Sequence, residues 1–289
     1  MPDSIERLIS QWESDDSLLE ANQLRLRTEV LDRLDAYFPD TDLHRTDTGS
    51  TTSELHRRVS AIRARLEAAN SLLYQSIRLE IQQGIRPAAF VRILQQSNSD
   101  TPARGNSYDY LDELTAGVLQ LDEPAEAPVH TGPEIVPYQP TPARHIFALV
   151  ALAAISERDV LLDLGSGLGH LTLLVSACTG ARCIGVELEP GYVASARQCA
   201  QRLNLSKVSF QETDARDADL SLGTVFYLYT PFSGSILQAV MNSLRRQAAL
   251  RRIKICTFGP CTYAVSQEPW LEAMMTPETD RITVFLSRP

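Results

Sequence analysis

The chain has 289 residues, of which 44% are hydrophobic and 22% charged, and a formal net charge of −9. That length suits one large domain or two ordinary ones, and the composition suits a packed core. A surface this acidic repels a phosphate backbone, so an extended nucleic-acid interface is not expected; a small molecule or a basic protein segment fits better.

The charge is unevenly placed, with 13 Arg, no Lys and 21 Asp or Glu in residues 1–125. The five cysteines (Cys178, Cys183, Cys199, Cys256, Cys261) form no Cys-x-x-Cys pair, so neither a zinc site nor a disulfide framework is expected. The start of the chain lacks the basic-then-apolar pattern of a signal peptide. The longest apolar run, Ile146 to Ile155, falls far short of the roughly 20 residues that span a bilayer. A soluble, cytoplasmic protein with no membrane partner is the expectation.

Residues 3–38 carry apolar positions at helical spacing: Ile5, Leu8, Ile9 and Trp12, then Leu24, Leu26, Val30, Leu31 and Leu34. The polar stretch Pro39–Thr52 reads as a loop. A long helix is predicted from about Ser53 to Gln83, closed by Gly84. Pro87 opens a shorter helix through Leu94, and Gln96–Asn106, rich in Ser, Asn, Pro and Gly, is expected to be mobile. Tyr108–Leu121 again looks helical. With strand signals absent before residue 158, residues 1–125 are expected to form an all-helical N-terminal domain, serving as substrate selector or as a homodimerisation element. Residues 126–140, with their prolines, mark a linker or extended arm.

The texture changes in the expected third part, residues 141–289. Thr141-Pro142 is a good helix start, with Thr as N-cap and Pro at the first helical position. Then β-type runs alternate with helical patterns: Val160–Leu164, helix Gly169–Cys178, Arg182–Glu187, helix Gly191–Leu203, Lys207–Gln211, Thr224–Tyr229, helix Ser233–Ala249, Ile253–Phe258 and Arg281–Ser287. Such alternation predicts an α/β, Rossmann-like, doubly wound and mostly parallel sheet.

The chemistry centres on Val160-Leu161-Leu162-Asp163-Leu164-Gly165-Ser166-Gly167-Leu168-Gly169-His170. An apolar strand ends near an acidic residue, turns through Gly165, Gly167 and Gly169, and enters a helix. Glycines allow positive φ and close approach of a ligand, and amides of the turn, Ser166 among them, point at it. A dinucleotide motif would need its third glycine at position 170, where His170 stands. Asp163 repels a pyrophosphate but neutralises the ammonium of a methionine-type ligand. The turn therefore reads as a cradle for S-adenosyl-L-methionine; the product would be S-adenosyl-L-homocysteine. His170 could touch the cofactor carboxylate or act as a base; the alternative, plain packing at the helix start, is the favoured reading.

Glu187 ends the next strand, 22 residues after Gly165, where it can accept from both ribose hydroxyls, with Leu188 beside it. Asp214 follows the third strand and can accept from an adenine amino group, with Ala215 supplying backbone contacts; Asp is also common in such loops for structural reasons. Tyr227-Leu228-Tyr229-Thr230-Pro231-Phe232 ends the fourth strand, where ligands of such sheets bind, so this segment is expected to border the methyl group. Tyr229 and Phe232 are read as an aromatic wall around the transferred methyl or an amine; an aromatic packing cluster is the alternative. An Asn/Asp-Pro-Pro-Tyr/Phe loop would indicate methylation of an adenine or glutamine amino group, but Thr230 and the missing second Pro depart from it. The basic run Arg245, Arg246, Arg251, Arg252 and Lys254 reads as cations at a helix C-terminus, with an RNA- or phosphate-binding patch as the alternative.

Taken together, Asp163–Gly169, Glu187, Asp214 and Tyr229–Phe232 resemble the motifs of the class I, seven-β-strand methyltransferases. Within that superfamily, Val136-Pro137-Tyr138-Gln139-Pro140-Thr141-Pro142 followed by Leu162–Gly167 is similar to two groups of protein-lysine methyltransferases: the histone-lysine enzymes of the disruptor-of-telomeric-silencing type and the mitochondrial enzyme acting on the ATP-synthase c subunit. The resemblance covers residues 136–232. It implies an S-adenosylmethionine-dependent enzyme that N-methylates a protein lysine, with Tyr138 and Thr141 in an arm closing over the methionine end of the cofactor. The bland alternative for Thr141 is a helix cap. Two other functional readings stay open: a methyltransferase acting on a small metabolite or RNA, and a non-catalytic S-adenosylmethionine-binding sensor or scaffold. No metal is expected.

Overall fold

The computed structural model describes residues 2–39, 50–97, 103–125 and 128–288. The chain divides into two compact units, Met1–Ser76 and Ile77–Pro289.

The first unit contains α1 (Pro2–Ser14), two 3-10 turns (Asp16–Leu19 and Ala21–Gln23), α2 (Leu24–Tyr37) and the start of α3 (Ser50–Gln82). Its core is built from residues one helical turn apart: Ile9 and Trp12 on α1, Val30 and Leu34 on α2, Val59, Ile62 and Leu66 on α3. Leu26, expected in the apolar stripe, is instead 39% exposed. Helix α3 begins at Ser50, so the end of the expected Pro39–Thr52 loop is helical; residues 40–49 of it lie outside the described residues.

Arg27 is fully buried in this unit. Its Nη1 donates to Leu18 O and Glu20 O at 2.8 and 2.6 Å, and its Nε donates to Asn70 Oδ1 at 2.6 Å. One guanidinium thus ties the turn between α1 and α2 to α3, and burial pulls its pKa down.

The second unit starts within α3, whose C-terminus is closed by Gly84 at φ 73°, as expected. Helices α4 (Ala88–Ser97) and α5 (Tyr110–Leu119) follow. The expected domain boundary near residue 125 would place both with the N-terminal helices. Their apolar faces pack instead on α6 (Ala143–Leu152) and α7 (His170–Thr179), with Phe90 edge-on to Phe147 at 5.7 Å. Of the segment expected to be mobile, Gln96 and Ser97 complete α4, residues 98–102 lie outside the described residues, and Gly105 is held by donating to Asp280 O at 2.8 Å.

Helix α6 starts one residue later than the Thr-Pro signal implies. Pro142 occupies the cap position without a side-chain bond, and Asp112 Oδ1 of α5 accepts from Ala143 N at 2.8 Å. A carboxylate from a neighbouring helix has taken over the capping expected of Thr141.

The sheet has seven strands: β1 (Val160–Leu164), β2 (Arg182–Glu187), β3 (Val208–Glu212), β4 (Val225–Leu228), β5 (Lys254–Thr257), β6 (Leu271–Ala273) and β7 (Thr283–Ser287), in the order β3-β2-β1-β4-β5-β7-β6. Strands β1 to β5 are parallel neighbours; β7 runs antiparallel between β5 and β6. Helices α7, α8 (Pro190–Arg202), α9 (Gly234–Ala248) and α10 (Cys261–Ser266) alternate with the strands. Strand β6 was not expected: three residues, Leu-Glu-Ala, without a β-branched side chain leave no local signal, and pairing to β7 makes the strand. Leu162, Leu164, Phe226, Leu228, Val240 and Leu244 pack one face of the sheet onto α9. The winding reverses between β1 and β4, which opens a crevice beyond their C-terminal ends.

Arg27→Ala removes three charge-assisted hydrogen bonds and leaves buried acceptors unpaired. It is expected to destabilise the chain by about 3 kcal/mol in urea unfolding followed by circular dichroism; a change under about 1 kcal/mol would contradict the tie.

Candidate active site

Between β1 and α7 the backbone turns through Gly165, Gly167 and Gly169 at φ 84°, 52° and 82°, a region that disfavours side chains. The amides of Gly165 and Ser166 both donate to Val186 O of β2, at 2.9 and 3.0 Å. Each glycine also makes room for a protein side chain. A Cβ on Gly165 would lie 2.2 Å from Pro231 Cβ, one on Gly167 1.9 Å from Tyr138 Cε2, and one on Gly169 2.7 Å from the Phe210 ring. Of the three, Gly165 alone borders the cavity described below.

Asp163 sits at the end of β1, 4% exposed, and accepts from Thr172 Oγ1 at 3.0 Å. Burial pushes its pKa up to about 7, against the lowering by Thr172 and with a further rise from the Glu187 charge. Glu187 turns back onto its own backbone: Oε2 accepts from Gly167 N at 2.7 Å, Oε1 from Leu188 N at 2.7 Å and Glu189 N at 3.0 Å. The Gly167 amide expected to face a ligand is therefore engaged by Glu187. Asp214 is clasped by Arg216, whose backbone N, Nε and Nη2 donate at 2.8, 2.9 and 2.7 Å; this bonding lowers the Asp214 pKa.

Residues 128–140 run across this crevice. Glu189, 8% exposed, accepts from Val129 N at 2.8 Å and His130 N at 2.6 Å. Ile135 forms a bridge with Phe232, and Val136 N donates to Pro231 O at 3.1 Å. The Tyr138 hydroxyl shares a 2.8 Å hydrogen bond with His170 Nδ1, and its ring lies 5.2 Å from that of Tyr192. Burial lowers the His170 pKa to about 4, so the imidazole is neutral near pH 7. Thr141 Oγ1 lies 2.9 Å from the Tyr227 hydroxyl.

After β4, Thr230 adopts φ 42°, a strained value for a β-branched residue. Its hydroxyl compensates by donating to Phe258 O at 3.1 Å and accepting from Cys261 N at 3.0 Å, which joins this loop to the one after β5. The Tyr229 ring lies 4.6 Å from that of Phe258, tilted by 38°. Phe232 is buried with the core cluster. Phe258 joins Tyr229 in the aromatic wall, while Phe232, bridged to Ile135, packs with the core and still borders the cavity described below.

These elements enclose a cavity of about 1380 Å³. It brings together Tyr138, Thr141, Asp163, Gly165, Ser166 and His170; then Glu187, Leu188, Asp214 and Ala215; and the whole loop Tyr229–Phe232. Gly167 and Gly169 do not border it. Tyr227, the first residue of the segment read as bordering the methyl group, lines it too. Glu189, Tyr192, Phe258 and Asp280 line it as well and were not singled out from sequence; of these, only Glu189, two residues beyond Glu187 at the same strand end, carried a local signal. In the basic run, Arg251 donates to Leu220 O and Gly223 O, both within 2.9 Å by Nη2, and Lys254 to Ala153 O at 2.5 Å, so two of its five cations serve the backbone. Among the described residues no cluster suited to a metal ion occurs, and no helix is long and apolar enough to cross a membrane.

A family model described as a methyltransferase domain matches residues 161–254, the stretch from β1 into β5. No curated protein matches the chain. Among solved structures it is similar to an RNA methyltransferase from Salinibacter ruber in complex with S-adenosyl-L-homocysteine, with 28% identity over 52% of this chain and 92% of that one and a TM-score of 0.42. A precorrin-6y C5,15-methyltransferase from Geobacter metallireducens shares 14% identity over 54% of this chain and 91% of that one, with a TM-score of 0.39. TrmN from Thermus thermophilus shares 20% over 50% and 48%, with a TM-score of 0.40.

Gly165→Ala combines a positive-φ penalty of about 1 kcal/mol with overpacking against Pro231 of about 1–3 kcal/mol. Gly84, at φ 73° with nothing within 4 Å of an added Cβ, should show the backbone penalty alone. Equal losses for Gly165→Ala and Gly84→Ala in chemical denaturation would refute the close packing of Pro231.

Proposed function

We propose that this chain is an S-adenosylmethionine-dependent methyltransferase acting on an amine nitrogen, with the side chain of a protein lysine as acceptor; the match of residues 161–254 to a methyltransferase domain supports the enzyme class. One observation carries the amine reading. The cavity wall holds five carboxylates, Asp163, Glu187, Glu189, Asp214 and Asp280, against one arginine, Arg216, and that arginine is already bound to Asp214. Such a wall favours positively charged groups and opposes phosphate.

The residues fit the cofactor. Asp163 offers a buried carboxylate to an ammonium, Ser166 Oγ is buried with no partner and can donate to a carboxylate, and Gly165 leaves bare backbone beside both. Glu187 would take the ribose hydroxyls and Leu188, Asp214 and Ala215 the adenine. Tyr138 and His170, joined by their hydrogen bond, would close the methionine end. When bound, the cofactor supplies a sulfonium methyl with its own leaving group.

The chain's task is then to align the acceptor and exclude water. Tyr229 and Phe258 form an apolar wall beside the strained Thr230–Pro231 turn, where desolvation lowers an amine's pKa and favours the neutral nucleophile. The acidic groups around the rest of the cavity attract the amine in its charged form, and its proton departs to water. Lysine is favoured over other amines by the pattern of residues 136–142 and 162–167, similar to protein-lysine methyltransferases.

The acceptor is tested by incubating the protein with radiolabelled S-adenosylmethionine and a cell extract. Label is expected in a protein band and should disappear when lysines are blocked beforehand by reductive alkylation. Label in RNA or in small molecules would overturn the acceptor, and binding without label would overturn catalysis.

Cofactor affinity should depend on pH through Asp163. A cation binds its carboxylate form, so below pH about 7 binding must expel a proton. The apparent Kd is expected to rise up to tenfold per pH unit as pH falls below 7 and to level off above it. Asp163→Asn should weaken binding about tenfold to a hundredfold at pH 8 and flatten that profile. A wild-type Kd unchanged between pH 5.5 and 8 would remove Asp163 from the site.

A further inference from the structure

Thr141, Asp163 and Tyr227 come from three separate parts of the chain and meet on one wall of the cavity. Asp163 of β1 and Tyr227 of β4 are in-register partners on parallel strands, so their side chains leave the same face of the sheet. Their neighbours Leu162, Leu164, Phe226 and Leu228 take the opposite face, in the core.

The Tyr227 side chain is 1% exposed and Thr141 8%. A buried hydroxyl is costly unless hydrogen-bonded, and a phenylalanine would fill the same space without that cost. The two hydroxyls face each other at 2.9 Å. Between them they hold two protons, and their mutual bond uses one. When Tyr227 donates to Thr141, the lone pairs of its own oxygen stay available on a wall shared with Asp163. Burial keeps this phenol protonated by raising its pKa, so it persists as a neutral acceptor.

An ammonium group has donors only and needs several acceptors around it. Asp163 supplies one carboxylate, part of which is engaged by Thr172. We propose that the Tyr227 hydroxyl is the second anchor for the ammonium of the cofactor's amino-acid head: it accepts from the head while donating its own proton to Thr141. This rests on the cofactor reading given above and adds to it a binding residue outside the glycine turn.

Titration calorimetry of the full chain with two ligands tests it: S-adenosylhomocysteine, which carries the amino-acid head, and 5′-methylthioadenosine, which keeps the nucleoside and the sulfur but lacks the head. Tyr227→Phe is expected to weaken S-adenosylhomocysteine about tenfold and to leave 5′-methylthioadenosine unchanged. Thr141→Val, which keeps the side-chain shape, should act in the same direction through the lost proton acceptor. The double variant should be little worse than Tyr227→Phe, since the two hydroxyls act as one unit. Equal weakening of both ligands would show a structural role and overturn the assignment, as would unchanged binding of S-adenosylhomocysteine. Wild-type protein that failed to bind S-adenosylhomocysteine at all would overturn the cofactor reading and this anchor with it.

Discussion

A carboxylate held out of water at the end of the central strand sets the terms for the site. Asp163 is 4% exposed, and the Thr172 hydroxyl bonded to it does not offset the burial that lifts its pKa to about 7. A group in that position is stabilised by a cation and destabilised by an anion. The fold places it at the reversal of strand winding between β1 and β4, where a crevice opens for topological reasons alone. Strand order thus provides the space, and on the reading proposed above the charge selects what enters it.

Other acidic side chains of the domain also fasten the backbone. Asp112 accepts from the first amide of α6, Glu134 from Ser235 at the start of α9, Glu187 from the glycine turn, and Glu189 from residues 129 and 130. Each joins a carboxylate to backbone N–H groups that would otherwise lack partners at a helix start or in an irregular segment. In this way residues 128–140 are fixed across the crevice without belonging to a helix or strand. These four carboxylates, indistinguishable in the sequence from surface charge, are internal fastening.

The reach of the sequence varied with how local the signal was. The glycine turn, Glu187, Asp214 and the Tyr229–Phe232 loop are contiguous with strand ends, and all but Gly167 and Gly169 border the cavity. Those two glycines were legible as turn residues, but their second purpose, admitting the rings of Tyr138 and Phe210, depends on residues far away in the chain. The same holds for the aromatic wall: Tyr229 and Phe232 stand at the end of β4 and both border the cavity, and Phe258, from the β5 end, joins Tyr229 there through a contact that no local signal marks.

By itself the sequence determined the alternation of strands and helices after residue 158, the parallel core of the sheet and the acidic residue beside the bend. Hydrophobic period and glycine position express local backbone physics, which needs no partner. Tertiary structure alone decided where the helices of residues 88–119 belong, that β6 exists, that Asp112 rather than Thr141 caps α6, and that Tyr227 meets Thr141. Each of these is a pairing across tens of residues, and its energy comes from burying and hydrogen-bonding groups that carry no mark of their partner until the chain has folded.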